Sequence, residues 1–173
     1  MGMTGNYRRI SQKQLTELQN HRELITDFLF PSYQADQISE LNGSYLCIGK
    51  TWHAIHFLLT GTIADDQPPL ENIVMGGTPL GDVENPDFDF GPARFLNPSE
   101  VKEVAEAISK ISKAEFQARF KPSELVEANI YPAILWERGG EEELEFLTDT
   151  FLMLVKFFQE AAKHREVVLF YIW

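Results

Sequence analysis

Helical and strand-like segments of unequal length interleave along this chain with no regular βαβ unit and no internal repeat, which predicts an α+β domain. Two segments sharpen the expectation. Between Glu141 and His164, Phe146, Leu147, Phe151, Leu154, Val155, Phe157, Phe158, Ala161 and Ala162 recur at helical spacing and cover roughly half of a helical wheel, so one face of a long helix packs on the rest of the protein. The closing "VVLFYIW" has seven apolar residues and no alternation, the pattern of a strand covered on both faces. We therefore expect one compact domain over residues 1–173, a small mixed sheet with the C-terminal strand central, packed by several helices. A chain of 173 residues can bury well over half of its unfolded surface without staples.

The remaining elements follow in order. "MTGNYRRI" sets Tyr7 and Ile10 among polar neighbours and reads as a short strand. Ser11 and Gln14 form a capping box that opens a helix, in which Leu15, Leu18, Leu24, Ile25, Phe28 and Leu29 recur until Pro31 ends it. "QADQISEL" reads as a second short helix stopped by "NG", and "SYLCIG" as a strand or an extended approach to the next helix. Residues 62–97 form the longest irregular region, with "ENIVM" its one plausible strand; loops of that length are usually functional or mobile. Order returns at Asn97, which caps a helix with Pro98 in its first turn and Glu100 completing the box; Val101, Val104, Ala105, Ile108 and Ile111 mark its buried face. A second box, Ser112 to Glu115, starts "KAEFQARF", "PSELVEA" forms another helical turn, and "NIYPAILW" is strand-like. "EEELEFL" is an acidic helix N-terminus, favoured by the macrodipole.

Composition bounds function. With 44% hydrophobic, 12% aromatic and 24% charged residues the chain is of ordinary globular type. No apolar run approaches the ~18 residues that span a bilayer, and "MGMTGNYRRISQK" lacks the apolar segment of a secretory signal, so no membrane association and a cytoplasmic site are expected. Cys47 is the only cysteine, which rules out an internal disulfide and a thiolate metal cluster. A net charge of -11 without a lysine and arginine stripe argues against nucleic acid as a partner. From Thr62 to Phe90 stand Asp65, Asp66, Glu71, Asp82, Glu84, Asp87 and Asp89 with no lysine or arginine, either a solvated loop, the plainer reading, or a surface that attracts a basic protein partner.

The run "TWHAIHFLLTG" raises the question of chemistry. On a wheel at about 100° per residue it is apolar nearly all round, apart from a polar seam about 60° wide made of His56, Thr60 and His53, flanked by Trp52 and Phe57. A metal site needs a third ligand, and neither His21 nor His164 has a spacing that helps. A catalytic histidine needs a nucleophile, and no serine or cysteine sits in a recognisable elbow. The favoured reading is that His56 bonds a backbone carbonyl or a buried acid and holds the helix in place. Elsewhere, "IVMGGTPLGD" matches no phosphate-binding loop and reads as a glycine-assisted turn. Arg94, in "DFDFGPARFLNP", pairs with Asp87 or Asp89 or else clamps an acidic ligand. Tyr131 and Trp136, around Pro132, line a pocket or pack at the core and its edge.

The start "MGMTGNY", the blocks "GKTWHAIHFLLTG" and "GPARFLNPSEV", "NIYPAILW" and the apolar C-terminal strand together resemble the YfbM-like family, a bacterial domain of unknown function, over essentially the whole chain. The tryptophan, histidine and threonine-glycine of the second block are the most specific part of the likeness. By it, His56 matches the family histidine, whereas His53 falls where members differ, which weakens a metal pair further. The resemblance implies a compact intracellular α+β domain of about this length and brings no reaction, substrate or cofactor. Two functional classes remain. The first is a non-enzymatic binding or interaction protein whose acidic surface meets a protein partner, as small acidic domains neutralise basic toxins by analogy. The second is an enzyme or small-ligand binder with Trp52, His56, Thr60 and Arg94 converging on one pocket, rimmed by Tyr131 and Trp136. The first is preferred, since no nucleophile, metal set or cofactor fingerprint is found.

Overall fold

The computed structural model describes residues 2–30, 43–64, 67–81 and 91–173. Its sheet contains β1 (Gly5–Ile10), β2 (Tyr45–Gly49), β3 (Thr78–Pro79), β4 (Arg94–Leu96) and β5 (Val167–Ile172), in the order β2-β1-β5-β4-β3. The C-terminal strand is central, as its composition predicts. Val168, Phe170 and Ile172 point into one apolar cluster and Val167, Leu169 and Tyr171 into the other, so both faces of β5 are covered. All four pairings are antiparallel, where a mixed sheet was expected. Parallel neighbours need a crossover of about a dozen residues or more that returns to the same end of the sheet, and here each strand enters beside its neighbour from the opposite end. The ladder extends past the strand bounds, because Thr4 and Trp173 exchange backbone hydrogen bonds of 2.6 and 3.0 Å.

Eight α-helices flank this sheet among the described residues: α1 (Gln12–Asn20), α2 (Ile25–Leu29), α3 (Trp52–Thr60), α4 (Pro98–Ile108), α5 (Lys113–Ala118), α6 (Pro122–Glu127), α7 (Ala133–Arg138) and α8 (Glu141–Lys163). The capping boxes at Ser11, Asn97 and Ser112 form as read, each with its side chain accepting from the first turn and its partner reaching back. The larger core lies between the sheet and α3, α4, α5 and α8, where Phe116 and Phe151 stack with centroids 4.2 Å apart. The smaller core, beneath α1 and α2, holds Leu15, Leu18, Ile25 and Leu29 against the opposite face.

Three readings are corrected. The first helix is not continuous to Phe30; it stops at His21 (φ -128, ψ 72), and a 3-10 turn, Arg22–Leu24, leads into α2. A straight helix of that length would run ~27 Å, beyond a six-residue strand of ~20 Å, and the break keeps Ile25 and Leu29 over the sheet. "ENIVM" is a 3-10 turn at Glu71–Ile73, because the Glu71 carbonyl gathers the N–H groups of Val74, Met75 and Gly76. "NIYPAILW" yields helix α7 instead of a strand: the Ile130 N–H bonds the Leu125 carbonyl, the Tyr131 N–H bonds His53, and Pro132 has no donor, so no ladder can form. The short helix read at "QADQISEL" lies outside the described residues.

Candidate functional site

Helix α3 carries the polar seam, and the segment that follows it closes over that seam. Gly61 takes the left-handed conformation (φ 78) that ends the helix and turns the chain back, a position that favours glycine. Residues 61–64 then meet the ring of His56, which is 1% exposed and donates from Nε2 to the Ala64 carbonyl at 2.9 Å. A carbonyl only accepts, so Nε2 carries the proton. Thr60 donates to the His56 carbonyl at 2.8 Å and accepts from the Thr62 N–H at 3.2 Å, and Thr62 Oγ1 donates to the Ala64 carbonyl at 2.7 Å. His56 and Thr60 are thus knitted to main chain within a dozen residues.

His53 joins this turn to a distant segment. Its Nδ1 accepts the Tyr131 N–H at 3.0 Å, and its ring stacks on Trp52 with centroids 5.1 Å apart. Burial, with His56 beside it, lowers the His53 pKa from the ordinary 6.5, against the opposing effect of the Ile63 carbonyl. Trp52 also stacks on Tyr131 at 5.8 Å and donates from its indole to the Met3 carbonyl, while the Met3 N–H donates to the Tyr131 hydroxyl at 3.0 Å. Gly5 lets the strand approach this cluster, since a Cβ there would stand 2.9 Å from Trp52 Cβ and 3.0 Å from Ile48 Cγ1. Arg119, at the end of α5, donates to the carbonyls of Leu58 and Leu59 and completes the C-terminus of α3.

The six candidate residues do not form one pocket among the described residues. Trp52, His56 and Thr60 share α3, and Tyr131 reaches it by stacking. Trp136 is core, 2% exposed, with its indole N–H on the Ile130 carbonyl at 2.9 Å. Arg94 lies on β4 opposite Phe170 and donates to the Gly77 carbonyl at 2.9 Å. It lines a crevice with Tyr7, Asn72, Gly76 and Phe158, which has no room for a water molecule and includes none of the α3 residues. Its expected partners Asp87 and Asp89 lie outside the described residues, as do Asp65, Asp66, Asp82 and Glu84 of the acidic stretch. Among the described residues no group of three or more histidine, cysteine or acidic side chains is placed to hold a metal ion, and no helix is long and apolar enough to cross a membrane.

Two features escaped the sequence reading. Phe146, assigned to the buried stripe of α8, is 58% exposed at the edge of that stripe, and Met153, two turns on, is 45% exposed. Glu142, Glu145, Asp149 and Lys156, all exposed, complete a face on which residues follow at three- and four-residue steps. The second feature is a polar cluster on the opposite sheet face, with Asn6 and Arg8 buried on β1 beside Tyr45, Cys47 and Tyr171. The register of Asn6 with Cys47 and Tyr171, and of Arg8 with Tyr45, puts all five on one face, which the alternation of "GNYRRI" foreshadows without naming partners.

An antiparallel five-stranded sheet with its C-terminal strand central and helices on both faces defines an α+β domain. The chain belongs to the family described as a domain of unknown function, DUF1877, whose model matches residues 1–171. Its fold is that of the protein of unknown function YfbM from Escherichia coli, whose crystal structure is similar with a TM-score of 0.68 and 21% identity over 98% of this chain and 99% of that one. No curated protein matches the chain.

Proposed function

We propose that this domain is a non-enzymatic binding module whose acidic exterior receives a basic protein partner. The observation that carries the reading is the outward face of α8, where Glu142, Glu145 and Asp149 surround exposed Phe146 and Met153. Carboxylates around an apolar centre suit a basic amphipathic segment: the charges steer and orient it, and the phenylalanine and methionine are desolvated on contact. The net charge of -11 adds long-range attraction. The polar side chains of α3, by contrast, are engaged with the chain's own backbone, which favours this reading over a pocket built on His56 and Arg94. The same proposal places the domain in the bacterial cytoplasm, where a lone exposed Cys47 stays reduced.

The test compares capture of host proteins by the intact domain and by the Glu142→Lys, Glu145→Lys, Asp149→Lys variant, at low and at high salt. A basic protein held by the first, released by salt and absent from the second is the expected result. Equal recovery by both would overturn the reading.

A further inference from the structure

Arg8 stands in the middle of β1 on the face turned away from α3, 9% exposed. Its Nη1 donates to the Phe28 carbonyl at the end of α2, and its guanidinium carbon lies 4.2 Å from the centre of the Phe28 ring. That contact is a helix C-cap and occupies one nitrogen. Among the described residues no carboxylate pairs with Arg8; the titratable groups that face it are the hydroxyls of Tyr171 and Tyr45. Neither supplies a counter-charge. Tyr45 donates to Asn6 Oδ1 at 2.8 Å and Tyr171 to the Leu29 carbonyl at 3.1 Å, and burial raises both pKa values, that of Tyr45 to about 12.

A guanidinium so enclosed, in a chain with 26 acids against 15 lysines and arginines, has none of the acids among the described residues beside it. Nη1 faces Phe28, which leaves the Nε and Nη2 edge, the edge whose two parallel N–H groups match the oxygens of a carboxylate or phosphate. Toward β2, the outermost strand of the sheet among the described residues, Cys47 is exposed and Tyr45 half-buried. We propose that Arg8 anchors an oxyanion site, in which a small carboxylate- or phosphate-bearing ligand is held by Nε and Nη2, with Tyr45 and Cys47 at its rim. The site is independent of the acidic face of α8 and lies on another element.

Cys47 is the only thiol of the chain, so its alkylation by neutral iodoacetamide reports on this rim alone. The intact protein is titrated with inorganic phosphate and separately with succinate, following the Arg8 Nε–H resonance by NMR and the Cys47 alkylation rate, with sodium chloride at matched ionic strength as control. A saturable shift of the Arg8 resonance with one of the two anions, accompanied by several-fold slower alkylation, is expected, and the anion that saturates identifies the ligand class. Arg8→Lys keeps the charge and loses the fork, so saturable protection of Cys47 should vanish in it while near-ultraviolet circular dichroism stays native. A response to both anions no different from that to chloride, or protection that persists in Arg8→Lys, would overturn the site; the wild-type titration decides even if the variant does not fold.

Discussion

His53 Nδ1 accepts the Tyr131 N–H, so a proton arriving on that nitrogen would set a donor against a donor. Burial and the neighbouring His56 lower its pKa below 6.5 in the folded chain, while the unfolded chain keeps the ordinary value. As pH falls below 6.5 the unfolded state takes up the proton first, so stability present above that value declines until the lower folded pKa is passed. Urea midpoints measured from about pH 7.5 to about pH 5 should fall in the wild type and fall less in His53→Gln, whose amide oxygen accepts without titrating. Identical slopes would assign the acid sensitivity elsewhere.

At the scale of elements, helix ends are where local chemistry and long-range packing divide the work. Helix α4 is closed at its N-terminus by Asn97, which accepts from the N–H groups of Ser99 and Glu100 while Glu100 reaches back to its backbone. Asn97→Ala should cost about 1 kcal/mol, and Asn97→Ser should restore most of it; thermal melts of the two variants check both. Helix α3 has no side-chain cap at Thr51 and relies instead on Gly61 and on Arg119, which arrives from 60 and 61 residues away to bond Leu59 and Leu58. The capping boxes are legible because their partners are three residues apart. The Arg119 contacts are not, because nothing local distinguishes that arginine from its neighbours.

For the whole molecule, β5 is the element on which both cores depend. It pairs with β1 on one side and β4 on the other, and its alternating side chains fill both apolar clusters. Removing residues 167–173 therefore leaves β1 and β4 without a common neighbour and both layers without a floor. The truncated chain should lose cooperative unfolding and near-ultraviolet circular dichroism; a sharp thermal transition near the full-length midpoint would show that β5 is dispensable.

The sequence by itself determined the α+β class, the capped starts of α1, α4 and α5, the long helix α8 and the two-faced C-terminal strand, since each follows from spacing or contacts within a few residues. It also placed a polar seam on α3. The tertiary structure alone decided what that seam meets, because the Tyr131 N–H reaches His53 across 78 residues and His56 meets a carbonyl that only the turn at Gly61 brings back. It likewise decided that "NIYPAILW" coils into a helix, that Phe146 faces outward and that Arg8 lies enclosed with no carboxylate of the described residues beside it. Hydrophobic periodicity records which face is buried, whereas a polar group's partner is set by how distant segments are packed together.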